Sequence, residues 1–429
     1  MVFQRDIKGY SMNRSLQDRF RANRRLGAVA IFGLGFLGLA SCAKPSTAYP
    51  VIPLADVQAA TLIDQRNNVI ARLDRLERVN SIGWPLLVAN ADLCHNRRAD
   101  RFGFSVGNDK TIRALADGFT LKQVNAIGYD ASPVVLNVFE GTPAARAGLM
   151  RGAVPIKVGE TDIGGEMDSL NEALSEYSEA RAEAKQKRET GEPETVLPDL
   201  DVVFQNPDGS ELRARLTPET ICSIPINVSE TDSVNANTGG TSVNMFRGLL
   251  TLMEDDDDVA IVIGHEIGHV IGRHVPKLRR NTYVSGFALW GIPVVTAAGL
   301  FDGLFAAPLE RWGGIETPPG QAGFTRLANR VLGVRSFERE ADYIGMYVAA
   351  RGGVDISNAE EVFAAFAKLS PSSTYGERTH PITADRQLAL RATREEIEAK
   401  QAAGELLIPN DWAYPVLLDE EADASGGGE

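Results

Sequence analysis

Apolar positions between Ala55 and Val79 recur every three to four residues, with Leu62, Ile70, Leu73 and Leu76 marking one face. That period predicts a helix. Trp84-Pro85 is expected to end it, with a second helix carrying Cys94 beyond. Further along the period shortens. Val134–Phe139 and Val154–Val158 read as strands, separated by Gly141–Leu149 and Arg151-Gly152, and Met167–Arg188 reads as a helix. Leu200–Leu216 reads as a hairpin that turns at Asn206-Pro207-Asp208-Gly209 and alternates at Leu212, Ala214 and Leu216. A strand-like Gly240–Phe246 leads into a helix through Gly248-Leu249-Leu250. The acidic run Glu254–Asp258 marks the start of another helix at Val259–Ile263, because negative charge complements a helix N-terminus. Pro276 is expected to close that helix. A further helix carries Phe337–Gly345 and ends at Gly352-Gly353. No repeat of a length that would build a solenoid is evident.

Two apolar runs stand apart. Leu26–Ala40 follows a basic stretch with Arg14, Arg19, Arg21, Arg24 and Arg25, and has the length of a signal-peptide core. It ends in Leu39-Ala40-Ser41-Cys42, which resembles a bacterial lipobox. The resemblance implies that residues 1–41 are removed and that Cys42 carries a lipid anchor to the membrane surface. Ala43 in place of Asp favours the outer membrane; the alternative is an ordinary signal or plain N-terminal anchor. The second run, Val284–Phe305, is interrupted by Gly286, Gly291, Pro293, Gly299 and Asp302. It reads as a hydrophobic hairpin that roofs a site or touches the bilayer, rather than as a span.

Composition narrows the partners. Lys and Arg number 44 against 57 Asp and Glu, a net charge of −13, which argues against nucleic acid. Part of this charge lies in residues 411–429, which read as a disordered acidic tail. With Cys42 acylated, Cys94 and Cys222 remain, either a disulfide in an oxidising compartment or two buried thiols.

The chemistry concentrates in the histidines, of which the chain has five. Three fall in His265-Glu266-Ile267-Gly268-His269-Val270-Ile271-Gly272-Arg273-His274. In H-E-x-x-H on a helix, His265 and His269 share one face and can grip one metal ion, and Glu266 can take the proton of a water which that ion activates. His274, five positions beyond His269, is rotated off that face and reads as structural. His95 has no supporting context.

From Asn227 onward the chain resembles the zinc metallopeptidase family that contains HtpX and the CAAX prenyl endopeptidases. The resemblance rests on H-E-x-x-H, on Glu338-Arg339-Glu340-Ala341-Asp342 within a Ser336…Gly345 frame, on Asn235-Ala236 before a strand, and on Thr379-His380-Pro381 followed by Arg386. It implies a zinc ion held by His265, His269 and Glu338. Glu338 and Asp342 share a helix face from which Glu340 points away; Asp342 is then expected to orient a ligand imidazole. Asn235, Ala236, Thr241 and Val243 are expected to line the edge strand that pairs with substrate. His380 has two readings, oxyanion donor or fourth ligand of a latent enzyme. Arg386 has two as well, binding substrate carbonyls or orienting His380. Residues 125–217 resemble a bacterial PDZ domain through Gly141-Thr142-Pro143-Ala144-Ala145-Arg146-Ala147-Gly148-Leu149, with Ala153 where Asp is usual and Pro155 inside a strand. Such a domain implies a peptide partner bound at a sheet edge, or a spacer if the groove is degenerate.

The expectation is an α+β protein. A helical region (42–124) and a β-rich PDZ-like domain (125–217) precede a mostly helical, gluzincin-type metallopeptidase domain with a small edge-strand sheet (218–410). The function implied is zinc-dependent endopeptidase action on unfolded or misassembled envelope proteins in the periplasm. The alternative is a latent protease that acts mainly as a chaperone or a PDZ-based binding protein.

Overall fold

In a computed structural model of the protein, the described residues are 50–94, 97–115, 133–191, 195–278, 280, 334–369 and 384–412. Cys42, His95, His380, the stretch 284–305 and the tail beyond 412 lie outside them. The chain divides into two units, 1–59 and 60–429. Of the first, only 50–59 are described, where Pro53 O accepts from the N–H groups of Asp56 and Val57 at the start of a helix. Every described strand, and every described helix after the first, belongs to the second unit.

Helix α1 (Leu54–Ala89) is longer than its periodicity predicts, because Pro85 lies inside it. An interior proline costs about 3 kcal/mol. Here Trp84, Leu86 and Leu87 are all buried in one core, and that burial outweighs the lost hydrogen bond. In place of the expected second helix, a single 3₁₀ turn, Ala91–Leu93, leads to Cys94, which is disulfide-bonded to Cys222 with Cα atoms 5.6 Å apart.

The middle of the chain is built from sheets. Strand β1 (Arg98–Arg101) pairs antiparallel with β8 (Glu219–Cys222). Strand β2 (Phe104–Gly107) is followed by the short helix α2 (Asp109–Leu115) and pairs antiparallel with β3 (Val134–Val138). After the one-turn α3 (Pro143–Arg146) come β4 (Val154–Val158), β5 (Thr161–Asp162), helix α4 (Met167–Glu189), β6 (Leu200–Gln205) and β7 (Glu211–Leu216). These strands form one antiparallel sheet in the order β5-β4-β6-β7. The β4–β6 register shifts between Pro155 and Lys157, which is how the ladder accommodates a residue without an N–H. Ala153 is fully buried, an environment hostile to the Asp usual there.

This sheet and α4 enclose a core of Val135, Val158, Leu170, Leu200, Val202, Phe204 and Leu216, against which Phe102, Phe104 and Val106 pack. The unit therefore begins before residue 125, and the region expected to be helical contributes two strands. Their partners lie far along the chain, so nothing in their own residues shows the pairing. Strand β3 joins two cores by alternation. Val135 faces the sheet core, while Val134 and Leu136 pack with Val69 and Leu73 of α1 and Ile112 of α2.

Among the described residues, a three-stranded sheet and a group of helices follow. Strand β9 (Ile226–Ser229) runs parallel to β11 (Val243–Phe246), which pairs antiparallel with β10 (Ala236–Thr238). Helices α5 (Arg247–Leu252), α6 (Asp256–Ile271), α7 (Val334–Arg351), α8 (Ala359–Leu369) and α9 (Ala384–Ala403) follow. The largest core packs α6 and α7 with the C-terminal half of α1 and all three strands.

Candidate metal centre

Helix α6 starts at Asp255, whose side chain accepts from Asp257 N at 2.9 Å, with three aspartates in its first turn. From Val259 to Ile271 every residue is buried. Such a helix needs close neighbours, and small residues supply them. Gly264 and Gly268 face the main chain of α7 at Gly345 and Ala341, and Gly345 in turn faces the Cα of His265. Side chains one turn apart on two helices at this separation can meet.

They do meet. His265 Nε2 and His269 Nε2 are 3.2 Å apart. The Glu338 carboxylate lies 3.7 Å from the first and 3.5 Å from the second. All three residues are buried, and one ligand atom from each falls within 4.8 Å of the others. Ligands about 2.0–2.2 Å from an ion at tetrahedral angles sit about 3.3 Å from one another, so the set fits a cation at its centre. His265 Nδ1 lies 2.9 Å from Asp342 Oδ1, which holds the proton on Nδ1 and leaves Nε2 bare toward that centre. Two imidazoles and a carboxylate are a zinc-type donor set. Glu266, next to the first ligand, is buried as well.

Arg386 sits in the first turn of α9 and is buried. Its Nε and Nη2 donate to Asp342 at 2.7 and 2.6 Å, a two-pronged contact, and its Nη1 lies 3.3 Å from Glu338. Burial opposes ionisation of Asp342, but His265 and Arg386 outweigh it and hold the carboxyl below its ordinary value. Burial likewise works against the charge on Arg386, and Asp342 and Glu338 more than offset it, so its pKa is raised. Arg386 is thus engaged with carboxylates of the site. Its expected neighbour His380 lies outside the described residues.

The C-terminus of α6 also departs from expectation. The helix ends at Ile271 with Gly272 as its cap, and Arg273 takes a left-handed conformation at φ 55°. Pro276 instead lies inside a short helical stretch, 274–278, near its first turn, where a missing N–H is tolerated. The reversal returns His274 to the metal side. Its Nδ1 lies 3.0 Å from Nδ1 of His269, and its Nε2 lies 3.2 Å from Glu340. Residue spacing on an ideal helix missed this pair; the Gly272-Arg273 stop was the signal.

Of the expected substrate-strand residues, only part falls on an edge. Phe246 N donates to Asn235 O, so pairs 235/246 and 237/244 are the hydrogen-bonded ones. The main-chain groups of Ala236 and Thr238 therefore point away from β11. Thr241 lies in the turn, and Val243 lies in the central strand with partners on both sides, so neither can pair with an added strand. Strand order is set by distant pairings and is not written in Val243 or its neighbours. The β10–β11 turn adjoins the end of α6, since a Cβ on Gly240 would lie 2.9 Å from Val275.

Two crossing helices that supply His, His and Glu to one point define a metallohydrolase-type centre. Residues 220–394 match the model of peptidase family M48. Over 142 residues it is 29% identical to the mitochondrial metalloendopeptidase OMA1 of Arabidopsis thaliana, covering 32% of this chain and 24% of that protein. It is also 29% identical over 157 residues to the "Putative beta-barrel assembly-enhancing protease" of Vibrio cholerae, covering 34% and 29% respectively. The matched region thus spans less than a third of either relative.

Proposed function

We propose that the protein is a zinc-dependent endopeptidase acting on unfolded or misassembled polypeptides of the bacterial envelope. The observation that carries this reading is the buried His265–His269–Glu338 set beside Glu266. Zinc held there would supply Lewis acidity, activating a water and polarising the scissile carbonyl. Glu266 takes the proton of the attacking water and delivers it to the leaving amine. Asp342 keeps His265 in the right tautomer, and Arg386 clamps Asp342 while steadying Glu338. An extended substrate adds to β10 through the main chain of Ala236 and Thr238. Edge pairing needs no chain terminus, which favours endopeptidase over exopeptidase action. His380 is proposed to act on the same site, either as oxyanion donor or as a latency ligand.

The names of the relatives, a metalloendopeptidase and a barrel-assembly-enhancing protease, support the reading. The basic and apolar N-terminal pattern ending at Cys42 supports lipid anchorage to the outer membrane facing the periplasm. The antiparallel sheet around β4 and β6 supports a PDZ-like unit with a peptide partner. The test compares wild type with Glu266→Gln on a reduced, unfolded protein substrate. Both variants should bind one zinc, and only wild type should cut. If both bind zinc, neither cuts, and both suppress aggregation equally, the chaperone alternative replaces this proposal.

A further inference from the structure

His265 is oriented directly by a carboxylate, Asp342. His269 is not. Its Nδ1 faces another ring nitrogen, Nδ1 of His274, at 3.0 Å, and only one of the two can carry the proton. The far side of His274 decides which. Its Nε2 lies 3.2 Å from a carboxylate oxygen of Glu340, an ion-pair contact bent away from hydrogen-bond geometry; the carboxylate only accepts, and its charge favours the proton on Nε2 in a neutral His274. That leaves His274 Nδ1 as an acceptor, requires His269 Nδ1 to donate, and strips the proton from His269 Nε2, the atom facing His265 and Glu338.

The surroundings hold the relay in place. The His274 ring stacks on Phe337 at 5.1 Å between centroids and 22° between planes. A Cβ at residue 272 would collide with that ring, so Gly272 leaves the space it occupies. Glu340 is further anchored by Lys277, 3.4 Å away.

We propose that Glu340 and His274 form a positioning relay that fixes the tautomer and orientation of His269, making its bare Nε2 available to the metal. The proposal rests on the metal-centre reading above. Direct carboxylate or carbonyl partners are the usual device. Here an imidazole is interposed, and the charge sits on a side chain 43% exposed, at the rim of the site.

The experiment measures zinc affinity by chelator competition, and the visible spectrum of the cobalt-substituted protein, in the full chain. Wild type is compared with His274→Ala, His274→Phe, His274→Asn, Glu340→Ala and Glu340→Gln, with apo-protein melting followed in parallel. His274→Ala and His274→Phe should each weaken zinc binding by roughly 10–100-fold and shift the cobalt bands. His274→Asn should recover most of the affinity, because its Oδ1 stands where the Nδ1 acceptor stood. Glu340→Ala, at a half-exposed position, should keep the fold yet weaken binding, and Glu340→Gln should fall between it and wild type. Wild-type affinity in His274→Phe would mean that the ring serves packing alone and would overturn the relay. Wild-type affinity in Glu340→Ala would do the same. A wild-type protein that takes up no zinc would remove the centre and the relay together.

Discussion

Gly345→Ala isolates the requirement that α6 and α7 run close together. A Cβ at residue 345 would lie 2.7 Å from the Cα and 2.8 Å from the N of His265, and 2.9 Å from the carbonyl carbon of Gly264. All three are main-chain atoms, so no rotamer relieves the overlap. Carbon atoms rest at about 3.5–4.0 Å, so the helices must separate by about 1 Å. Overpacking of this kind costs about 1–3 kcal/mol, and replacing a helical glycine recovers about 0.5–1 kcal/mol. The net loss, roughly 1–2 kcal/mol, leaves a folded protein. The metal is affected more strongly. Ligand distances hold within about 0.2 Å, and a 1 Å retreat of Glu338 leaves two imidazoles and no carboxylate. Zinc affinity should therefore fall by about 100-fold or more while far-ultraviolet dichroism stays native, beyond what loss of an outer partner causes. Chelator competition measures this directly. Unchanged affinity in a folded Gly345→Ala would refute the claim that close helix approach assembles the centre.

Three other outcomes rest on features of the same fold. Arg386→Met leaves Asp342 and Glu338 facing each other without their cation, so urea denaturation with chelator present should show a loss of about 3–5 kcal/mol, smaller with zinc, whose charge substitutes in part. Arg386→Lys should not restore stability, because lysine lacks the planar fork. Replacing both Cys94 and Cys222 by Ser opens a loop of sequence separation 128, and the chain-entropy account sets an upper loss of about 5 kcal/mol, read as a lower denaturation midpoint. Asp100 is partly buried, which favours its neutral form, but Lys185, Arg181 and Thr220 outweigh that burial and lower its pKa. Its ionised form therefore stabilises the fold above its unfolded value of about 3.9, and that contribution is lost as pH falls through the lower folded value. Asp100→Asn should be less stable at neutral pH and show a flatter acid limb; an unchanged limb would contradict the assignment.

Local signals in the chain were the ones that could be read. The hairpin 200–216 was legible because its alternation and its Asn-Pro-Asp-Gly turn are neighbours in sequence. His265 and His269 were legible because a helical turn fixes their relation whatever else the fold does. Glu338 needed the family resemblance, since acidic pairs four apart are common on solvated helices. Pro85 misled, because the burial that carries α1 through it comes from elements far away in sequence. Strands β1 and β2 and the central place of Val243 were hidden for the same reason: pairing partners are chosen by tertiary packing. Ideal helical geometry sets His274 aside, but it stops applying one residue after Ile271; Glu340 does point off the Glu338–Asp342 face and meets the site through His274.

Helix α1 lends residues to two interiors at once. Val69 and Leu73 pack under β3, while Val79, Trp84, Leu86 and Leu87 pack with the helices of the metal centre. Arg151, from the sheet region, is also tied to Asp74 and Glu77 on that helix. A beam shared in this way denies either half an independent melting step. Heating should produce a single merged transition, and trimming by a protease should not release the sheet region as a self-standing fragment.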